Sequence, residues 1–293
     1  MASLKDIRQR IASVKSTRQI TSAMKMVSAA KLKKAQDAIL QMRPYAFRLN
    51  RILARLGAAV DVNEGNPFAE QRAPDRVLIV LISANRGLCG GFNSNVARGV
   101  IDLVENTYKP QWEAGRVDLL LIGKKGGEIL KGKGYPRFPS LNDLLEKPSY
   151  DPVGKVAEDL MQQFLIHKYD RIDLIYNQFK NAATQVMTHE QFLPIEIQSA
   201  APEEGPEPYY IFEPSLTYMV EVLIPQALKV QFYKAVLDSL AAEHGARMTA
   251  MHQATDNATQ LIRELNLEYN KARQAAITGE LIEIIGGAEV LRS

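Results

Sequence analysis

Both ends of the chain carry an apolar stripe with the alternating three-and-four spacing of a coiled coil, and neither stripe can be buried by its own helix. From the amino end the spacing runs through Leu4, Ile7, Ile11, Val14, Arg18, Thr21, Lys25, Ser28, Leu32, Ala35, Ile39, Met42, Ala46, Leu49, Leu53 and Leu56, twelve of the sixteen apolar. The four exceptions fall between Arg18 and Ser28, where Ile20, Met24 and Val27 predict a local drift of the seam. Pro44 predicts a kink or a break near Met42, and Gly57 a stop. At the carboxyl end Met248, Met251, Thr255, Ala258, Ile262, Leu265, Tyr269, Ala272 and Ala276 repeat the spacing, in a stretch from 226 to 290 without proline. Helices of ~55 and ~65 residues would be ~80 and ~100 Å long at 1.5 Å per residue, several times an ordinary globular helix. No third segment of that length completes a bundle, so the two ends are expected to pair with each other.

A different kind of sequence separates them. Segments 76–83 (RVLIVLIS), 117–122 (VDLLLI) and 171–176 (RIDLIY) are short branched apolar runs, alternating with helical stretches near 94–107 and 152–168. That order reads as β-α-β units with a parallel sheet covered by helices, and 185–193 adds a candidate edge strand. Linkers rich in turn residues lie at 61–74 and 200–214. The fold class is therefore α/β plus long α: a Rossmann-like α/β domain (75–199) inserted between an N-terminal helix (1–57) and a C-terminal helix (215–293). A compact insertion returns the chain to the same end, which makes the coiled coil antiparallel.

Charge is distributed unevenly. Residues 1–56 hold thirteen Lys and Arg against Asp6 and Asp37, a net +11 in a chain whose total is +3, leaving −8 for the remainder. Such an arm suits a polyanion, an acidic protein surface or solvent. No stretch reaches the ~20 apolar residues of a membrane span. The amino end lacks the apolar segment of a secretory signal and its pattern outlasts a transit peptide. With 46% hydrophobic and 24% charged residues the chain is neither disordered nor collagen-like. One cysteine, Cys89, excludes an internal disulfide framework and suits a reducing compartment.

Catalytic chemistry finds little footing. The loop 83–93 (SANRGLCGGFN) follows a strand and precedes a helix, where a dinucleotide fold would cradle phosphate, but Gly87, Gly90 and Gly91 do not make G-x-G-x-x-G. The alternative is that they supply unusual backbone angles for a tight loop against a neighbouring surface. Segment 123–128 (GKKGGE) lacks the order of a phosphate-binding P-loop and reads as a strand-to-helix turn. His167, His189, His244 and His252 lack metal-ligand spacing, and Cys89 has no local activating partner, so it reads as a small buried thiol. No catalytic residue, cofactor or metal is expected.

Three blocks carry a family resemblance. Segments 5–14 (KDIRQRIASV) and 21–31 (TSAMKMVSAAK), the central S-x-x-RGLCGGFN beginning at Ser83, and segments 254–258 (ATDNA), 269–275 (YNKARQA) and 277–288 (ITGELIEIIGGA) together resemble the gamma subunits of rotary ATP synthases, in the right order over the whole chain. The resemblance implies a non-catalytic rotor shaft. Its coil would enter a ring of three alpha and three beta subunits, and its α/β domain would sit near the epsilon subunit and the ring of c subunits. It implies beta-subunit contacts at Arg273 and Gln274, with Thr278 and Glu280 from the same signature. Arg8, Arg10, Lys15, Arg18 and Lys25 would face acidic segments of beta.

Around Ile277, Leu281, Ile282, Ile284 and Ile285 the carboxyl-terminal helix becomes apolar on several faces, and a helix of that kind must be surrounded. The expected location is the cytoplasmic face of a bacterial inner membrane, peripheral and attached only through the complex. A rival reading is a coil that binds nucleic acid through the +11 arm, which predicts strongly salt-dependent DNA retention. A second rival is a nicotinamide-dependent enzyme, which predicts saturable cofactor binding.

Overall fold

The structure, a computed structural model, describes residues 3–59, 66–136, 138–146, 148–195 and 216–290. In chain order the elements are α1 (Leu4–Ala59), β1 (Val77–Ile82), α2 (Phe92–Asn106), α3 (Lys109–Glu113), β2 (Val117–Ile122), α4 (Lys124–Gly132), α5 (Tyr150–Leu165), β3 (Arg171–Phe179), β4 (Gln185–Leu193) and α6 (Leu216–Val290). Contacts divide the chain into two compact units, Ala29–Arg247 and the pair Met1–Ser28 with Met248–Ser293.

Within Ala29–Arg247 the sheet has the order β2-β1-β3-β4, with β1 parallel to β2 and β3, and β4 antiparallel at the edge. Pleating sends alternate β1 side chains to opposite faces. Val77, Ile79 and Leu81 pack with Val96 and Val100 of α2 and Leu130 of α4. Leu78, Val80 and Ile82 pack with Val153, Ala157, Leu160 and Phe164 of α5, and in the same cluster lie Leu49 and Leu53 of α1 and Leu228 and Phe232 of α6. Every residue of β1 is thus buried, as a central strand covered on both faces requires. Each such aliphatic side chain contributes ~1.5–3 kcal/mol when withdrawn from water.

The unit formed by the chain ends is an antiparallel helix pair. Arg8 Nη2 donates to Tyr269 Oη at 2.7 Å, Thr21 Oγ1 lies 2.8 Å from Thr255 Oγ1, and Lys25 Nζ lies 3.3 Å from His252 Nδ1. Position on α1 rises as position on α6 falls. Ile7, Ile11 and Leu265 form the buried seam, with Val14, Tyr269 and Ala272 against them.

Three expectations are corrected. The seam does not drift to Ile20 and Val27, which are 58% and 56% exposed; it stays on Thr21 and Ser28, both buried. Thr21 Oγ1 donates to Arg18 O and meets Thr255 Oγ1 across the seam, so a short hydroxyl side chain is accommodated there and hydropathy alone misplaces the stripe. Pro44 lies inside α1 without ending it, and α1 runs to Ala59, two residues past Gly57. Pro225 lies inside α6, which begins at Leu216. The backbone hydrogen bond that this proline forgoes is offset by burial of Ile224, Ala227 and Leu228 beside it.

Candidate functional site

Two places merit description: the far end of the helix pair, and the crevice at the carboxyl ends of the strands. At the first, Leu4 begins α1 while α6 continues beyond Ala272 to Val290. Past the last seam contact at Ala272, α6 leaves Ile277, Leu281, Ile282, Ile284 and Ile285 between 49% and 67% exposed. Arg273 and Gln274 just before this run, and Thr278 and Glu280 within it, are exposed to solvent, with Thr278 Oγ1 donating to Gln274 O at 2.9 Å. The exposed stretch is a continuation of a helix, so its polar backbone is satisfied internally and its side chains are left free for a neighbour.

The basic candidates on α1 are not equivalent. Arg10, Lys15 and Arg18 are exposed. Arg8 is exposed as well, but it is engaged across the pair: its hydrogen bond to Tyr269 raises its pKa above the ordinary value, and its guanidinium lies 5.7 Å from the centre of the Tyr269 ring. Lys25 is half-buried against His252. Arg10, Lys15 and Arg18 thus stand on the surface of α1, while Arg8, also at the surface, bridges to Tyr269 of α6.

The second place is where a doubly wound fold takes its ligand. The chain leaves β1 for β2 on one side, while β3 lies on the other, so the topological switch point is between β1 and β3. Here α6 fills the crevice. Ala242 and Ala246 pack on Ala84, Cys89 and Phe92, with Phe179 at the edge. At Gly245 a Cβ would meet Phe179 and Ala182 at 3.3 Å, so glycine permits the close approach. Arg247 Nη2 donates to Arg86 O at 3.0 Å and Gly87 O at 3.2 Å, while Nη1 pairs with Glu243, both side chains being about a tenth exposed. Sequence reading passed over this pair; its signal was a charged couple four residues apart inside an otherwise apolar stretch.

The polar groups that would hold a phosphate are also engaged. At the start of α4 the Lys124 N–H donates to Asn85 Oδ1, Lys125 N–H to Ala84 O, and Gly126 N–H to Ser83 Oγ. Asn93 Oδ1 accepts from Ala84 N–H at 2.9 Å and its Nδ2 donates to Cys89 Sγ. Of the three loop glycines only Gly90 has a left-handed backbone, φ +58°; the other such residue is Leu88, at φ 63°. The expectation of unusual angles at Gly87 and Gly91 is corrected: neither has a positive φ, Gly91 being the N-cap of α2 at φ −80° and the Gly87 carbonyl being bound by Arg247. Cys89 is buried, and burial pushes its thiol pKa up.

A long antiparallel helix pair joined to an α/β insertion, with that insertion's ligand crevice closed by the carboxyl-terminal helix, defines a stalk-type subunit. The comparisons agree. The family model described as ATP synthase matches residues 3–291. The ATP synthase gamma chain of Christiangramia forsetii is 54% identical over 291 residues, 99% of each chain, and that of Cytophaga hutchinsonii is 49% identical over 295 residues, 100% of each. Among solved structures, a chain of the central stalk and c-ring of the Tetrahymena thermophila mitochondrial ATP synthase matches with TM-score 0.61 and 27% identity, covering 80% of this chain and 99% of that one. A chain of the Euglena gracilis mitochondrial ATP synthase shares the fold at TM-score 0.66 and 23% identity, covering 98% and 94%. The chain belongs to the ATP synthase gamma-chain family, and as such is a subunit of an enzyme complex.

Proposed function

We propose that this chain is the central-stalk rotor of an F-type ATP synthase and is itself non-catalytic, linking ion movement through a membrane ring of c subunits to ATP chemistry in the beta subunits. The observation that carries the reading is the end of α6, a helix that outruns its partner and exposes a run of isoleucine and leucine on several faces. Enclosed by a collar of alpha and beta subunits, each of these side chains would contribute ~1.5–3 kcal/mol through contacts that have no preferred direction. Such a bearing holds the tip while allowing it to turn. Arg273, Gln274, Thr278 and Glu280, with Arg10, Lys15 and Arg18 on α1, would supply the directional contacts that distinguish one orientation from another. Only contacts whose energy differs between orientations can bias a beta subunit.

The non-catalytic reading is supported by the crevice, where α6 and Arg247 stand in the space a nucleotide needs. Segments 1–57, 75–199 and 215–293 would then be shaft, membrane-side platform and shaft again, with the platform meeting the epsilon subunit and the c ring. One charge crossing ~100 mV releases ~2.3 kcal/mol, so several ion steps must be pooled for each ATP. Paired helices store and pass that torsion better than loops, whose local opening would dissipate it. Among the described residues no helix is long and apolar enough to cross a membrane, which fits a peripheral subunit attached through its partners at the cytoplasmic face of a bacterial inner membrane.

The test is a double substitution, Arg273→Ala with Gln274→Ala, in the assembled complex. Ion-driven ATP synthesis should fall while the chain still folds and co-purifies with an alpha-beta hexamer. Unchanged synthesis would refute the assignment of these two residues, and failure of the wild-type chain to co-purify with the hexamer would refute the rotor itself.

A further inference from the structure

Within Ala29–Arg247 a cavity of about 400 Å³ opens between α1, α6 and the entry to α5. Its volume falls in the range of roughly 300–1,000 Å³ typical of small-ligand sites. The walls divide by chemistry. Ala35, Leu237 and Leu240 are buried and form an apolar floor, whereas Lys31 and Lys34 on α1 are exposed at its mouth. Among the described residues no ion pair holds either lysine. His244 of α6 lines the same space, and its Nδ1 is buried without a hydrogen-bond partner among the described residues. Ser149 is the N-cap of α5, yet its hydroxyl makes no capping bond, so the positive end of a 16-residue helix also faces this region. Against these stand Glu146 at the cavity and Asp151 in the first turn of α5.

We propose that this cavity binds a small amphipathic anion, a carboxylate or phosphate monoester on a short apolar body, with its head at Lys31, Lys34 and His244 and its body on Leu237 and Leu240. An anion answers the cationic mouth and gives the stranded imidazole nitrogen an acceptor, while an apolar body fills the space over an apolar floor that offers a free phosphate no partner. His244 has its pKa lowered to about 4 by burial and by the charges of Arg247 and Lys31, so the imidazole is neutral and free to donate one N–H at neutral pH. The ligand would touch α1, α6 and the α5 entry at once, and so tie both shaft helices to the platform from one point.

The experiment uses the assembled complex and the carbethoxylation of histidine by diethyl pyrocarbonate, mapped by mass spectrometry. His167, His189 and His252 serve as internal references. At ten times its half-protecting concentration, octanoate should slow modification of His244 about ten-fold and leave the other three unchanged. Octyl phosphate should do the same, whereas octanol and inorganic phosphate should protect far less. Lys31→Ala with Lys34→Ala, two exposed positions, should raise the half-protecting concentration of octanoate at least ~10-fold, as the loss of two charge-assisted contacts implies. Equal protection by octanol, or protection indifferent to the lysines, would overturn the anion site. Protection by inorganic phosphate equal to that by octanoate would overturn the apolar body. Protection of all four histidines, or of none, would overturn the site entirely.

Discussion

Replacing Asp238 with asparagine should stabilise the protein, and only on the alkaline side. Asp238 sits on α6, 7% exposed, and burial raises its pKa from 3.8 to about 6 although Lys234 and Arg43 pull it down; Glu190 adds to the rise. Glu190 is itself fixed by Tyr176 Oη at 2.8 Å and Gln231 Nε2 at 2.7 Å. A pKa raised in the folded state favours the protonated acid. The associated stability is complete below 3.8 and is lost as the pH climbs through about 6. Above that the folded chain carries an ionised carboxylate at a cost of about 3 kcal/mol, from ~1.4 kcal/mol per pKa unit. Asparagine keeps the shape and removes the charge. Urea unfolding, followed by the emission of the single tryptophan, Trp112, reports on this unit, since Trp112 lies 5.1 Å from Tyr135 between ring centres. At about pH 8, Asp238→Asn should gain ~2–3 kcal/mol, and at about pH 4.5 the gain should fall to ~1. The lowered pKa of His244 acts in the opposite sense, costing stability as pH falls from 6.5 toward about 4, but equally in both proteins. A gain independent of pH, or larger in acid, would refute the argument from burial.

Other substitutions probe the joints. Gly123 has φ +99°, and a Cβ there would lie 2.2 Å from Ser83 O, so Gly123→Ala should lose about 3 kcal/mol or more in the same urea assay. Thr255 Oγ1 holds Met251 O at 2.7 Å and Thr21 Oγ1 holds Arg18 O at 3.1 Å, which makes Thr21 the readier donor across the seam. Thr21→Val or Thr255→Val alone should each cost ~1 kcal/mol in thermal unfolding, and the double variant less than their sum. Arg247→Met should strand the Glu243 carboxylate at a cost of ~3–5 kcal/mol, and the loosened loop should expose Cys89 to a thiol reagent that leaves the wild type unmodified.

The sequence made the repetitive parts of the molecule readable. Leu32, Ala35, Ile39, Leu49 and Leu53 are buried where the coiled-coil spacing put them, and the sheet strands fall within a few residues of the apolar runs. Periodicity reports which face of an element is dry, because one face of a helix or strand repeats at a fixed step. It cannot weigh Thr21 against Ile20, since the winner depends on how closely two helices approach. Pro44 was over-read for the same reason: it lies inside α1, where the helix continues past it and tertiary context overrides a local rule. The closed crevice was further out of reach. It depends on a guanidinium and a carbonyl separated by 161 positions, a pairing that no local pattern encodes. At the helix end, exposure of Ile284 and Ile285 accords with the loss of a one-sided stripe, whereas the diversion of Arg8 to Tyr269 needed the partner helix in view.

The sheet's second face is covered by the shaft helices themselves, through Leu49 and Leu53 on one and Leu228 and Phe232 on the other. A twisting load on either helix therefore enters the sheet through interlocked side chains rather than through the peptide segments that connect them. Slippage would require the hydrophobic core to melt, so the grip is as strong as the fold, and a nick in a connecting loop should leave it unimpaired.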